Sequence, residues 1–516
     1  MDMTRTIASI TLDGSPFDFA ALAQIGQGDT RIVPNPACLE RVRQGRAELE
    51  RAIAAGHAVY GTTTGVGALK DITWSANEWD QFNAGLVRAH HFGTGEAFPC
   101  DVVRNAMAIR VNTALHGLVG CTTELVETYV ALLNVNVVPV VRRTGSIGCA
   151  DIGLMGQIGA VLTGVGEVFY GGRRLPAEVG MAAAGLKPIR MAPKDGLASV
   201  GTNAVGYAAA AHALRHAAAT LRMLLATSAA TACAMGAAPA PWEAAMHVGT
   251  PREAAIGGWL FEASRNSEIP VATHVQDPLS LRMMAQVFAV VFEALATAGR
   301  TILAATGRID DNPIIVEGRP LTSGGSLPLD VAMAMQTASL TLAHAARNSF
   351  NRCVLIGNGR CRDLPLNLVP PGAIATGFGP IIKLAGELFA RVLSMAQPIS
   401  AQSLVVADGL EDEAAFLPLI VERFERQVAA IQRLSALEAL LAAQAMDLKG
   451  DRPGGVVGMV YEFVRTHAAF FAQDRPLSAE VEAIEETLAA DAAMARLLAR
   501  GSMPEIDTFF ALDFAL

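Results

Sequence analysis

The spacing of apolar residues predicts a chain made mainly of helices. From about residue 203 onward, apolar positions recur three or four residues apart over long stretches, as on the buried face of a helix. In the predicted helix Glu413–Met446 we expect one buried stripe, formed by Ile420, Phe424, Val428, Ile431, Leu434, Leu437 and Leu441. The other predicted helices are Ala204–Met235, Leu279–Thr306, Leu329–Asn348, Phe378–Met395 and Ser478–Leu498.

The first 200 residues mix short extended pieces with helices. Residues Ile7–Leu12 alternate between apolar and polar as a strand does, and Cys38–Ala55 has the spacing of a solvated helix. The apolar stretch Val130–Val141 fits either structure. We therefore predict two parts, a mixed α/β lobe over residues 1–200 and an elongated helical bundle over residues 201–516.

The composition suggests that much of the surface is covered. Of 516 residues, 52% are hydrophobic and only 17% are charged, which leaves little charge to cover a monomer. We expect part of the surface to be buried between subunits. A membrane protein is the competing explanation, but Met223–Trp242 is mostly Ala, Ser and Thr, and Gln286–Gly307 is interrupted by Glu293 and Arg300. Neither stretch is typical of a bilayer span.

Cysteine content and charge limit the compartment and the partners. The seven cysteines are an odd number, are scattered and include no CxxC pair. This favours reduced thiols in the cytoplasm and disfavours a metal site. The first residues, MDMTRTIASITLDG, contain no apolar run of signal-peptide length. The net charge of −9 includes no basic run, so nucleic acid is not an expected partner. A small-molecule enzyme or an oligomeric scaffold remains.

Two motifs in the first hundred residues carry candidate chemistry. Residues 59–67 read VYGTTTGVG, so Tyr60 opens a glycine-rich loop that lacks the Gly-Lys-Ser/Thr of a phosphate-binding loop. Residues 86–96 read LVRAHHFGTGE and contain His90 beside His91. No third ligand follows at the spacing of a metal site. Taken alone, each motif also fits a purely structural role.

Two further positions offer charge. Residues 275–282 read VQDPLSLR and contain Gln276 and Arg282. Arginine suits a carboxylate because its fork makes two parallel charge-assisted hydrogen bonds. Lys383, in FGPIIKLAGELF, is the only basic residue at an otherwise apolar helix start. It is either a surface lysine or a cation that points into a pocket.

Together these motifs resemble the aromatic amino-acid lyases, that is, the histidine, phenylalanine and tyrosine ammonia-lyases, over about residues 30–450. The resemblance implies an elongated helical bundle of the ammonia-lyase, fumarase/aspartase-like type. It also implies a homotetramer whose active sites are built from several subunits. By the same resemblance, Tyr60 removes the Cβ proton of the substrate, His90 and Gln276 lie beside the substrate, and Arg282 clamps its carboxylate.

One segment departs from that family where its chemistry begins. The family condenses an Ala-Ser-Gly triplet into an electrophilic methylidene-imidazolone ring, whose methylene comes from the serine. Here residues 145–153 read GSIGCADIG, which places Cys149, Ala150 and Asp151 at the triplet. Ala150 has no hydroxyl to lose, and Ser146 is no substitute because the family has a serine there as well. We therefore expect no cofactor of this kind.

Other departures fall at positions that build or hold the ring. Gly201 replaces a family asparagine, although Asn203 lies nearby, and Ser326 and Leu327 replace an asparagine and a phenylalanine. Leu279 replaces a tyrosine that helps the amine to leave. The segment DDNP, residues 310–313, is kept and is interpreted as a helix-capping turn. The ring and its supports have changed together.

The remaining charges indicate a substrate. Glu411 aligns with the glutamate that holds the imidazole in histidine-specific members. Elimination without the ring needs a leaving group that is already charged and has no proton to lose, such as trimethylammonium. Ergothioneine combines both features, so the chain is most similar to the ergothionases, which eliminate trimethylamine from ergothioneine to give thiourocanate. We expect Lys383 to stabilise negative charge on the sulfur. The candidate catalytic residues are Tyr60, Lys383 and Glu411, and the candidate substrate-binding residues are His90, Asn203, Gln276 and Arg282.

Three alternatives stay open. The substrate is another betaine, such as the sulfur-free trimethylhistidine. The chain is a catalytically inactive homologue kept for binding or structure, against which the presence of Tyr60 and Arg282 argues. The chain is a true ammonia-lyase that forms its electrophile at another Ala-X-Gly turn, although the sequence contains no matching turn with serine or cysteine.

Overall fold

Long helices dominate the protein, and its computed structural model describes residues 8–273, 275–359, 361–402, 404–488 and 508. In the N-terminal part the helices are α1 (Phe19–Gln27), α2 (Pro36–Ala54), α3 (Trp79–Ala89), α4 (Cys100–Ala114), α5 (Thr123–Asn134), α6 (Ile152–Leu162), α7 (Ala177–Ala183) and α8 (Asp195–Val200). From residue 204 onward they are α9 (Ala204–Ala234), α10 (Ala240–Val248), α11 (Pro251–Arg265), α12 (Leu279–Arg282), α13 (Met284–Ala305), α14 (Leu329–Gly357), α15 (Ile381–Met395), α16 (Leu417–Lys449), α17 (Gly455–His467) and α18 (Ser478–Leu488). The prediction of a mainly helical fold is confirmed.

An elongated bundle forms the centre of the protein. Helix α9 has 31 residues and α16 has 33, so each is roughly 45–50 Å long at about 1.5 Å per residue. Helix α9 is rich in alanine and leucine and is buried on nearly every side, since α4, α13, α16 and α17 pack around it. Helix α14 lies against α13 and α16, and α15 lies against α14 and α16.

The predicted stripe on α16 is confirmed, but it describes only the first half of the helix. All seven of its apolar residues are buried. From Leu434 to Met446, however, every residue is buried, polar side chains included. This half of α16 is enclosed by other helices, so it has no solvent face. The helix also begins at Leu417, four residues later than predicted, after Phe416 adopts a left-handed backbone (φ 52°).

Three other predicted boundaries need correction. The predicted helix Leu279–Thr306 is two helices, because the backbone at Met283 leaves the helical region (φ −98°, ψ 16°) between α12 and α13. Helix α14 continues to Gly357 rather than ending at Asn348, and α15 begins at Ile381 after Pro380 rather than at Phe378. Of the last predicted helix, residues 489–498 lie outside the described residues.

Short strands accompany the N-terminal helices. They are β1 (Ser9–Leu12), β2 (Arg31–Pro34), β3 (Thr94–Ala97), β4 (Val138–Pro139), β5 (Arg142–Thr144), β6 (Glu167–Tyr170), β7 (Arg173–Pro176), β8 (Ile314–Val316) and β9 (Arg319–Leu321). Strand β1 pairs in parallel with β2, β3 pairs with β5, β6 lies between β4 and β7, and β8 forms a hairpin with β9. The predicted first strand is confirmed from Ser9, whereas Ile7 lies outside the described residues. The ambiguous stretch Val130–Val141 is helical up to Asn134 and extended at β4.

Two described helical stretches are long and apolar enough to cross a membrane by length and composition alone. In Asp195–Ala234 the most apolar window has a mean hydropathy of 1.3 and is 89% buried within the chain. In Met284–Ala305 the corresponding values are 1.6 and 56%. Packing inside the bundle therefore accounts for the apolar character of the first stretch, and α13 keeps an uncovered apolar side that includes Val290.

Candidate active site

The altered triplet lies where several helices begin. The N–H of Ala150 donates to the carbonyl of Ser326 ahead of α14 (2.8 Å), and the N–H of Asp151 donates to the carbonyl of Thr202 ahead of α9 (2.9 Å). Asp151 is itself the residue at which α6 starts. The loop of residues 145–151 is thus fixed against the N-terminal ends of α6, α9 and α14, whose free N–H groups favour negative charge nearby.

The residues present do not fit a self-formed ring. Ala150 is buried in a left-handed conformation (φ 53°) and carries no hydroxyl that could be lost. The neighbouring Cys149 directs its thiol toward the hydroxyl of Ser326, with 3.6 Å between Sγ and Oγ. A carboxyl group, that of Asp151, occupies the place of the family's glycine. No chemical step in this protein can be assigned to a methylidene-imidazolone.

Asp151 ties the loop to α9. Its carboxylate is fully buried and accepts hydrogen bonds from the N–H of Gly206 (2.6 Å) and the hydroxyl of Ser146 (2.9 Å). A Cβ at position 206 would lie 2.9 Å from the carboxylate, so only glycine permits this approach. Burial raises the pKa of Asp151 to about 7, although both hydrogen bonds act in the opposite direction.

This pKa predicts how stability depends on pH. Because the folded chain binds the Asp151 proton more tightly than the unfolded chain does, the free energy of unfolding should fall as pH rises from about 4 to about 7. The slope from one such group is about 1.4 kcal/mol per pH unit. Asp151→Asn removes the titration and keeps the shape. The unfolding temperature of the variant should therefore rise relative to that of wild type between pH 5 and pH 8. If the plots of unfolding temperature against pH were parallel for the two proteins, this assignment would be wrong.

The segment DDNP is not a helix-capping turn of its own. Asp310 and Asp311 are both buried, and Asp311 forms a bidentate ion pair with Arg110 (2.8 and 3.1 Å). Asp310 accepts hydrogen bonds from the N–H (2.6 Å) and the side-chain amide (3.1 Å) of Asn203. Burial raises the pKa of Asp310 to about 6. The two acidic residues thus hold other elements in place.

Asn203 is placed behind the triplet rather than at an open surface. Its side chain is fully buried, and its amide nitrogen also donates to the carbonyl of Ser326 (2.8 Å). That carbonyl is the one that accepts from Ala150. These contacts hold the loop, and the substrate contact that we expected of Asn203 from the sequence stays a prediction.

Tyr60 lies near both Glu411 and Cys149. The phenolic oxygen of Tyr60 accepts a hydrogen bond from the N–H of Gly67 (3.0 Å), and the turn Gly67–Leu69 packs against the turn Ala407–Gly409 that precedes Glu411. Tyr60 is half-buried. Burial raises its pKa, the carboxylate of Glu411 and the thiol of Cys149 add to this rise, and the Gly67 N–H opposes it. The structure thus brings Tyr60, Glu411 and Cys149 into one cluster.

His90 lies at the flank of the same loop. It ends α3, and its Nδ1 lies 2.8 Å from the carbonyl of Leu86, which can only accept, so Nδ1 carries a proton. Its ring lies 6.3 Å from that of Phe92, which packs against Gly145 at the start of the loop. Across the described ranges, no group of three His, Cys, Asp or Glu side chains is arranged to hold a metal ion.

Arg282 lies at the opposite end of the bundle in the same chain. Ser280, two residues before Arg282, contacts Arg352, and Arg352 contacts Ser228 on α9. Ser228 lies 22 residues beyond Gly206, the α9 residue that binds Asp151. At about 1.5 Å per residue, these two positions on α9 are roughly 33 Å apart.

Gln276 and Lys383 also lie away from the Tyr60 cluster. Gln276 is exposed and precedes α12 by three residues. Lys383 is exposed in the first turn of α15, next to Ile382, which packs against Gly357 at the C-terminal end of α14. The triplet contacts the other end of α14. One chain therefore brings together Tyr60, Glu411, His90 and Asn203 and leaves Gln276, Arg282 and Lys383 elsewhere.

The chain is similar in sequence to a known family of enzymes over most of its length. The family description "Aromatic amino acid lyase" matches residues 17–466. Histidine ammonia-lyase of Gloeobacter violaceus is 30% identical over 501 residues, which cover 93% of this chain and 96% of that protein. Both the family match and this relative span almost the entire described chain.

Solved structures share the fold. The ergothionase from Treponema denticola, solved in complex with desmethyl-ergothioneine sulfonic acid, is 26% identical and superimposes with a TM-score of 0.89 over 93% of this chain and 98% of that chain. Histidine ammonia-lyase from Trypanosoma cruzi, at 21% identity, superimposes with a TM-score of 0.86 over 98% of this chain and 97% of that chain. The predicted ammonia-lyase fold is confirmed, and this chain belongs to the aromatic amino acid lyase family.

Proposed function

We propose that this protein eliminates trimethylamine from ergothioneine to give thiourocanate, without an electrophilic ring. The observation that carries the proposal is Ala150. With no hydroxyl at that position there is no ring to activate an amine, so the substrate must bring a leaving group that is already competent. Similarity to an ergothionase structure supports the choice of substrate. Histidine ammonia-lyases, although similar in sequence, act on an ordinary amine.

The proposed reaction is a simple elimination. The phenolate of Tyr60 takes the Cβ proton, the electron pair of that C–H bond forms the Cα–Cβ double bond, and the Cα–N bond breaks. Nitrogen keeps the electron pair of the broken bond and leaves as neutral trimethylamine. Arg282 holds the carboxylate, Glu411 accepts an N–H of the ring, and Lys383 stabilises negative charge on the sulfur as Cβ becomes carbanion-like. His90 and Gln276 line the substrate.

Tyr60 needs positive charge from outside its own cluster to lower its pKa. In the single chain, burial and Glu411 raise the pKa of Tyr60, which keeps the phenol protonated near neutral pH. A general base works best when its pKa is close to the working pH. The fixed positive charge of trimethylammonium lowers the pKa of Tyr60 and so opposes the effect of Glu411. Cationic side chains from another subunit would lower this pKa further.

The active site is proposed to be shared between subunits of a homotetramer. At the Arg282 end of the chain, Arg352 contacts Ser228 on α9, and Ser228 lies roughly 33 Å along that helix from Gly206, which binds Asp151 in the altered triplet. Exposed apolar residues on the outer helices, such as Val290 on α13 and Leu340 on α14, offer surface for contact between copies. A second copy would supply Arg282 and Lys383 to the Tyr60 cluster. The free thiols of the seven cysteines fit our proposal that the protein resides in the cytoplasm.

Lys383 tests whether sulfur is recognised. Lys383→Met should lower turnover of ergothioneine by about 10²-fold with a smaller effect on affinity, since a cation beside developing negative charge acts mainly in the transition state. The sulfur-free trimethylhistidine should be affected much less. The measurement is the rate of trimethylamine release from each substrate. The control variant is Lys187→Met, which removes another exposed lysine. Equal losses on both substrates would mean that Lys383 does not recognise sulfur, and rapid wild-type turnover of trimethylhistidine would favour that betaine as the substrate.

A further inference from the structure

A buried ion pair crosses the centre of the bundle at the Arg282 end. Arg352 on α14 binds both carboxylate oxygens of Glu438 on α16 through Nε (2.5 Å) and Nη2 (3.2 Å), and the side chains are only 1% and 0% exposed. Nη2 also donates to the hydroxyl of Ser228 on α9. A buried pair of this kind rarely adds net stability over apolar packing, so its presence here suggests a role in placing other groups.

The remaining nitrogen of the guanidinium reaches out of the ion pair to α12. Nη1 of Arg352 donates to the carbonyl of Ser280 (3.0 Å), and the indole N–H of Trp242 donates to the next carbonyl, that of Leu281 (3.2 Å). Helix α12 has four residues and ends at the break at Met283. The N–H of Met283 bonds within this turn to the carbonyls of Leu279 and Leu281, and the further donors come from outside α12. Arg352 and Trp242 therefore fix its backbone from two different helices.

The residue that follows these two carbonyls is Arg282. Within the described residues its Nε is buried and has no hydrogen-bond partner. An unpaired buried nitrogen on a charged side chain is costly unless a ligand completes it. The backbone of α12 is thus held firmly while the guanidinium it carries is left with hydrogen-bonding capacity for an anion.

We infer that Arg352, Glu438 and Trp242 are positioning residues that orient Arg282 toward the carboxylate of the substrate. The inference rests on the proposed function, in which Arg282 binds that carboxylate. Because the network lies in one chain and Arg282 serves the site of another, these buried contacts set the geometry of a neighbouring active site. Loss of the Trp242 hydrogen bond should weaken carboxylate binding in the ground state and the transition state alike, which raises KM and leaves kcat nearly unchanged.

The test uses Trp242→Phe, which removes the N–H donor and keeps an aromatic ring. The matched control is Trp259→Phe, an equally buried tryptophan on α11 with no described hydrogen bond to α12. We expect Trp242→Phe to raise the KM for ergothioneine about 3–10-fold, the range for one hydrogen bond, and to weaken calorimetric binding of ergothioneine more than that of its carboxamide. Trp259→Phe should change neither the KM for ergothioneine nor the preference for ergothioneine over its carboxamide.

Each other outcome has a distinct meaning. A fall in unfolding midpoint or kcat in Trp242→Phe, with KM and the carboxylate preference unchanged, would overturn the positioning role. Wild type that binds the carboxamide as tightly as ergothioneine would overturn carboxylate binding by Arg282 and the positioning role together. Wild type that prefers the carboxylate, loses that preference in Trp242→Phe and yet releases no trimethylamine would uphold the positioning role and overturn the proposed function.

Discussion

Replacing Tyr60 with phenylalanine should lower the turnover of ergothioneine by about 10²–10⁴-fold, the range for loss of a general base. The expected reason is local. The phenolic oxygen accepts a hydrogen bond from the Gly67 N–H and lies near the carboxylate of Glu411, and phenylalanine keeps the ring while removing only the proton acceptor. Binding of ergothioneine, measured by calorimetry, should stay nearly unchanged because Arg282 and Glu411 are still present.

Tyr170→Phe is a suitable control for this change. Tyr170 is partly buried on β6 and lies in the small sheet with β4 and β7, so its loss should leave turnover close to that of wild type. If Tyr60→Phe retained most of its activity, another group would be the base and the role assigned to Tyr60 would be wrong.

Mixing two inactive variants should restore activity. Tyr60→Phe and Arg282→Met each remove one part of the proposed site, and the two residues lie at opposite ends of the bundle in one chain. If each site takes Tyr60 from one chain and Arg282 from another, about one quarter of the sites in a randomly mixed 1:1 assembly contain both intact residues. Co-expressed subunits carrying different affinity tags, purified through both tags, should therefore release trimethylamine at a substantial fraction of the wild-type rate.

The chain offers a matched negative control for this mixing. Tyr60 and Glu411 lie in one cluster of one chain, so Tyr60→Phe mixed 1:1 with Glu411→Gln leaves every site with one lesion. The activity of this mixture should equal the mean of the two single variants, with no restoration. Failure of Tyr60→Phe and Arg282→Met to complement one another would contradict a shared site and, given their separation, the carboxylate role of Arg282.

Much of the bundle could be predicted from the sequence because long helices leave a repeated signal. The apolar positions of α9 and α16 recur over many turns, so their centres were predictable. Their ends depend on single backbone positions instead. The break at Met283 has no proline or glycine to announce it and is stabilised from outside, through Trp242 and Arg352. Local sequence contains no information on such contacts.

The sequence predicts a set of candidate site residues but not where they lie relative to one another. Tyr60, Arg282 and Lys383 each lie in a recognisable local motif. The sequence does not show how far apart the long helices α9 and α14 place these motifs in the folded chain. Their separation follows from helix length and direction, which appear only when the helices are packed. The sequence likewise does not show that Asn203 is buried behind the loop, where its amide donates to the carbonyl of Ser326.

Several supporting residues were missed by sequence reasoning. Asp310 and Asp311 were interpreted as a local turn, although they bind Asn203 and Arg110, which lie far away along the chain. The available signal was weak, because adjacent acidic residues also occur at residues 411–413 and 485–486. Asp151 gave no comparable signal, because its role depends on the missing side chain of Gly206 across the bundle.

Whether the protein eliminates trimethylamine without a backbone-derived ring is tested most directly by one reaction on one mass-verified sample. The intact mass should equal that of the encoded 54.0 kDa chain, and incubation with ergothioneine should release trimethylamine in step with a new conjugated absorbance. A mass lower by two waters, or a chain that releases no trimethylamine from ergothioneine under these conditions, would contradict the account.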